Sequence, residues 1–161
     1  MEDKILKSDL ASAVIGQLTH LHPKKAIEGL NPDVAKKKIF LLDHSCFELL
    51  HHIVFWQDIL LKNIDGKVEN WFPPADENWP TEEDLSSDDN FIGLKDKFNK
   101  NLDTITEKLG KINLMDRIEI GPPLPPDVTY FRIILVFLQH TSYHIGQLVT
   151  IRKILGDWKG N

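Results

Sequence analysis

His140 and His144 stand four residues apart in the run Gln139-His140-Thr141-Ser142-Tyr143-His144. On a helix that spacing is about one turn, so two imidazoles share a face and can converge on one divalent cation. Both fall in line with Ile133, Phe137, Leu148, Ile151 and Leu155, whose steps of three and four make one apolar stripe. A polar group buried without a partner costs roughly 1 to 3 kcal/mol, so two imidazoles in a core stripe call for hydrogen-bond partners or a metal. A third ligand must come from elsewhere in the chain. His51 and His52 are neighbours, and residues about 100° apart around a helix cannot both face the core. His51 shares its side with His44, Phe55, Asp58 and Lys62, a mostly solvated face, whereas His52 lies among Ser45, Glu48, Leu49, Trp56 and Ile59. His52 is the expected ligand, with His44 and His51 expected at the surface, as are His20 and His22 beside Pro23.

A site of three neutral imidazoles leaves a divalent cation its full charge and leaves coordination positions open to water or substrate. Zinc, nickel and iron all suit such ligands. Ring nitrogens that do not bind metal need partners of their own, and Glu48, one turn before His52, and Gln147, three residues after His144, are within reach. Tyr143, beside a core position, reads as packing. Cys46 is the sole cysteine and lies on the apolar side of its segment, which excludes an internal disulfide or thiolate cluster and marks it as a small inert hydrophobe. No Ser-His-Asp arrangement, phosphate-cradling glycine loop or zinc-finger spacing is present.

Helical spacing dominates the segments that must position these groups. Leu6, Leu10, Ala13, Val14 and Leu18 predict a first helix ending near His20. Pro23 suits the first turn of a short linker helix with Ala26, Ile27 and Leu30, stopped by Asn31-Pro32-Asp33. From about Asp43 to Ile64 the chain is apolar on most sides, as an interior helix should be. Residues 65–87 read as a long loop carrying Trp71, Phe72 and Trp79, a candidate apolar wall at a cavity mouth. Phe91, Leu94, Phe98, Leu102, Ile105 and Leu109 then predict an amphipathic helix capped near Ser87. The proline-rich run from Gly121 to Pro126 precedes a last helix from about Asp127 to Leu155, ended by Gly156. Four long helices with two long connections predict an all-α domain over 1–161, a four-helix bundle with crossovers rather than the short-looped form.

The 161 residues match one domain, and 42% hydrophobic with 27% charged residues excludes a disordered chain. A net charge of −5 offers no broad basic field to nucleic acid or an anionic membrane. Neither a signal-peptide pattern nor a membrane-length apolar run is seen, so a cytoplasmic location is expected.

The chain resembles the DinB-like superfamily of metal-binding four-helix bundles. The residues that carry the resemblance are Glu48-Leu49-Leu50-His51-His52-Ile53 with Trp56-Gln57-Asp58-Ile59-Leu60, and His140-Thr-Ser-Tyr-His144-Ile-Gly146-Gln147-Leu148 with Arg152 and Leu155-Gly156. Asn78-Trp79-Pro80 and the segment from Ala26 to Gly29-Leu30 also match, so the resemblance spans nearly the whole chain. It implies a bundle with long crossovers, a metal site of His52, His140 and His144, and often a homodimer. Some members are thiol S-transferases using bacillithiol or mycothiol.

Two functions follow as expectations. One is a metal-dependent enzyme that activates a water or a low-molecular-weight thiol for hydrolysis or thiol S-transfer on a small-molecule substrate. The other is a non-enzymatic, stress-related metal-binding dimer, in which Glu48 or another group would close the coordination sphere. The apolar breadth of the second long helix, with Phe47, Val54, Phe55 and Leu61 outside its main stripe, also suggests a dimer face.

Overall fold

Helix-forming runs in this chain are bounded by side chains that satisfy the free backbone groups of a helix end. The computed structural model describes residues 2–17, 19–67, 73–74, 76–118 and 127–159. Among them are seven helices and no strand: α1 (Glu2–Val14), α2 (Pro23–Ile27), α3 (Pro32–Ala35), α4 (Cys46–Ile64), α5 (Glu82–Ser86), α6 (Asp88–Leu109) and α7 (Tyr130–Ile154). The fold is all-α, and the one sheet-like feature among the described residues is an isolated antiparallel bridge between Arg117 and Thr129. Of the residues read in the sequence, Leu18, Trp71, Phe72 and the run 121–126 lie outside the described set.

Several ends differ from the sequence reading. α1 stops at Val14, because Gly16 adopts φ +73 and the Gly16 and Gln17 N–H groups close back onto the carbonyls of Ala13 and Ser12. A Cβ on Gly16 would meet His20 Nδ1 at 2.6 Å, so the turn demands glycine twice over. Asn31-Pro32-Asp33 opens a helix instead of stopping one: the Asn31 side chain accepts from the Val34 N–H, and proline is at home in a first turn. Inside the expected long loop, Thr81 caps the short α5 through a reciprocal pair of bonds with Asp84. α4 and α7 start later than expected, at Cys46 and Tyr130, behind the capping side chains of Ser45 and Thr129. Ser87 caps α6 as its residue type predicted.

α4 is the interior helix. It packs against both α6 and α7, and α1 packs against the same two, so each long helix lies against two others. One continuous core draws on Leu10 and Val14 of α1, Ile27 of α2, Phe47, Leu50, Ile53 and Leu60 of α4, Phe91, Phe98 and Leu102 of α6, and Ile133, Phe137 and Leu148 of α7. Phe47, Val54 and Leu61 are buried against the chain's own neighbours, and Phe55 is half-buried. No helix among the described residues is long and apolar enough to cross a membrane.

Candidate metal centre

The α4–α7 contact is what brings two distant stretches of chain to one point. His52, from the middle of α4, and His140 and His144, one turn apart on α7, present one ring nitrogen each, and these atoms lie within 4.8 Å of one another. Among the described residues this is the only cluster of side chains with metal-ligating spacing, and it contains no carboxylate. His52 is 9% exposed and the other two are half-buried.

Hydrogen bonds on the outer side of the rings decide which nitrogens face inward. Asn78, in the loop before α5, places its side-chain oxygen 3.1 Å and its main-chain oxygen 3.4 Å from His52 Nδ1. An oxygen acceptor fixes the proton on Nδ1, which leaves Nε2 a lone pair. Gln147 Oε1 lies 2.7 Å from His144 Nδ1 and fixes that ring in the same way. His52 Nε2 then faces His140 Nε2 at 3.1 Å. Two lone pairs cannot rest at that distance without a proton or a cation between them. Two nitrogens bound to one tetrahedral zinc at about 2.0 to 2.1 Å stand about 3.4 Å apart, so small ring rotations suffice to seat a cation. The donor set fits a divalent transition metal, and zinc, nickel and iron are all compatible with it.

The rings are held neutral, the form that binds metal. Burial, and next the charges of His144 and His52, push the His140 imidazole down to about 3. Burial, and next His144, push His52 down to about 4 against the opposing pull of Asn78. His144 is lowered by burial too, with Gln147 opposing.

Aromatic rings wall the cluster. Trp79 stacks on His52 at 4.3 Å between centroids and 10° between planes, and His44 also stacks on it at 3.7 Å and 10°. Trp56 meets the edges of His52 and His140, and Tyr143, itself 65% exposed, sets its ring against His144.

The sequence reading placed His52, His140, His144 and Gln147 as the structure has them. Glu48 sits elsewhere: its carboxylate accepts from the Ser45 N–H at 2.7 Å, completing a capping box, and pairs with Lys38. Burial opposes its ionised form, but the Lys38 ammonium first and the Ser45 N–H and hydroxyl next outweigh burial and hold its pKa below the usual range. His44 is half-buried against Trp79 rather than on the surface, and His51 is half-buried with a buried Nδ1 lacking a partner. His22 caps α2, its Nδ1 accepting from the Lys24 N–H, and exposed His20 reaches Ser142. Cys46 is fully buried, with its thiol pushed up to about 12 mainly by burial, as an inert core residue should be. Trp79 walls the cluster as the reading of its loop expected, whereas Asn78 is the site residue that spacing did not assign. Its only signal was an Asn-Trp-Pro run in a long loop, which carries no periodicity to say what it touches.

Comparison of the chain with family models, curated proteins and solved structures finds no match.

Proposed function

We propose that this chain is a DinB-like metal-dependent enzyme, in which His52, His140 and His144 hold a divalent cation with coordination positions left open, and that the site activates a water or a low-molecular-weight thiol for hydrolysis or thiol S-transfer. One observation carries the reading: amide oxygens of Asn78 and Gln147 occupy the outer nitrogens of His52 and His144, which leaves each ring an inner lone pair, that of His52 facing His140 at 3.1 Å, with ligating nitrogens of all three rings within 4.8 Å of one another. A divalent cation bound there supplies Lewis acidity, polarising a carbonyl or drawing a water or thiol pKa toward neutrality.

The chain's own residues supply orientation and dryness. Asn78 and Gln147 set the ring tautomers, Trp79 fixes the plane of His52, and Trp56 keeps water from the inner side of the pair. The cluster holds no carboxylate and Glu48 is spent on the helix cap, which supports an open site over a closed, purely structural one. The contacts of α1, α4, α6 and α7, each long helix against two others, support the four-helix bundle with crossovers that the resemblance implies. A cytoplasmic homodimer acting on a small molecule completes the proposal, and sedimentation at micromolar concentration tests the dimer.

The decisive experiment is to strip the protein, reload it in turn with zinc, nickel and iron, and assay thiol transfer and amide hydrolysis. Activity is expected with at least one metal, lost in His140→Ala and kept in His20→Ala, whose ring is exposed. Activity that survives His140→Ala sinks the enzymatic reading.

A further inference from the structure

Away from the imidazoles, two adjoining hollows open around the turn after α2. One, of about 520 Å³, lies between α2 and α6 and is lined by His22, Lys24, Lys25, Glu28, Lys95 and Asn99 among others. The other, of about 360 Å³, shares Lys25, Glu28 and Gly29 and adds Arg152, Trp158 and Lys159. Both volumes are in the range of small-molecule sites. Charge marks them out. In a chain with a net charge of −5, the larger hollow gathers three lysines against one carboxylate.

Lys95 is the anchor of this charge. It is half-buried and makes no ion pair among the described residues; its ammonium donates to the Leu30 carbonyl at 2.8 Å and lies over the Phe91 ring. Burial and the nearby Arg152 guanidinium both pull its pKa down, the mark of a cation short of a counter-ion. Lys24 and Lys25 reach only exposed carboxylates, Asp103 and Glu28, pairs that water screens and a ligand can displace at little cost. One half-buried ammonium without a counter-ion and two in displaceable pairs describe a ligand with an anionic head.

We propose that the hollow between α2 and α6 binds a small molecule with a phosphomonoester head, its phosphate against Lys95, Lys24 and Lys25. Asp103 stands on Lys24 and Glu28 on Lys25, but Lys95 has no carboxylate among the described residues, and a phosphomonoester brings three acceptor oxygens and close to two negative charges at neutral pH to the three ammoniums, against two oxygens and one charge for a carboxylate. A carboxylate head shares the chemistry, so glycerol 3-phosphate and glycerate are the two probes. The assignment is independent of the metal reading, since none of its residues belongs to the imidazole cluster.

Calorimetric titration of the full chain at low salt tests it. Glycerol 3-phosphate is expected to bind saturably, about tenfold more tightly than glycerate. Affinity should fall about tenfold in Lys95→Met. Lys25→Ala, at a side chain 50% exposed and so harmless to folding, should weaken binding severalfold as well. Absence of saturable binding, binding unchanged in both lysine variants, or glycerate bound as tightly as the phosphate overturns the proposal.

Discussion

α7 carries two buried polar clusters built on opposite principles. Near its C-terminus, Arg152 is 3% exposed and almost every N–H it has is spent: Nη1 donates to the carbonyls of Ala26 and Glu28 at 2.7 and 3.0 Å, Nε to Asp157 Oδ2 at 2.7 Å, and Nη2 to the Asp157 carbonyl. It ties α2 and the chain after α7 to the core, and Gly156 at φ +72 makes the turn that returns Asp157 to it. Two to three turns earlier, His144 is held on its outer side by Gln147, while His140 makes its one polar contact with the inner nitrogen of His52. A polar group that a fold needs is saturated. A group left half-saturated in a core is kept for something that is not part of the chain.

The contrast can be broken in five ways. Arg152→Met should have the largest effect on folding, about 3 kcal/mol lost in urea denaturation with metal affinity retained, because it strands Asp157 and the buried Ala26 carbonyl. A loss of metal with little loss of stability would reverse the roles assigned to the two clusters. His140→Ala should cut zinc affinity by at least about a hundredfold while leaving the metal-free protein as stable or more so, since it removes a ring buried beside another nitrogen. Gln147→Leu should weaken zinc about tenfold by releasing the His144 tautomer, as measured by chelator competition.

Acidity separates the clusters next. His52 and His140 have folded-state values lowered from 6.5 to about 4 and about 3, so the unfolded chain takes up protons that the folded one refuses. Metal-free stability is therefore full above about pH 6.5 and falls as pH drops toward 4, and melting temperatures in chelator should follow that course. His140→Ala should flatten the curve, whereas Arg152→Met should leave its shape unchanged. Smallest of all, Glu48→Gln should cost about 1 kcal/mol through the α4 cap and leave zinc affinity untouched. A metal effect there would return Glu48 to the site.

Periodicity and caps made most of this legible in advance. The helices that carry the histidines, and the faces of α4 and α7 on which His52, His140 and His144 lie, follow from apolar residues at steps of three and four. Gln147 was readable for the same reason, because its partner is on the same helix, three residues away. Glu48 was misplaced because a glutamate one turn before a ligand and a glutamate three residues after a capping serine are one residue with two local readings. The cap prevailed, since Ser45 and the free N–H groups of the helix start lie closer than the ring. α3 and α5 were missed because four or five residues are too few to show a period, and only their capping side chains betray them.

The sequence by itself determined which residues fold into helices and which side of each helix avoids water, because both depend on neighbours a few positions away. Tertiary structure alone decided that the faces of α4 and α7 meet at their histidines, that Asn78 and Trp79 close over His52, and that lysines from α2 and α6 gather around one hollow. Those contacts join residues dozens of positions apart. Their partners are selected by the packing of the whole core, and no local pattern records that choice.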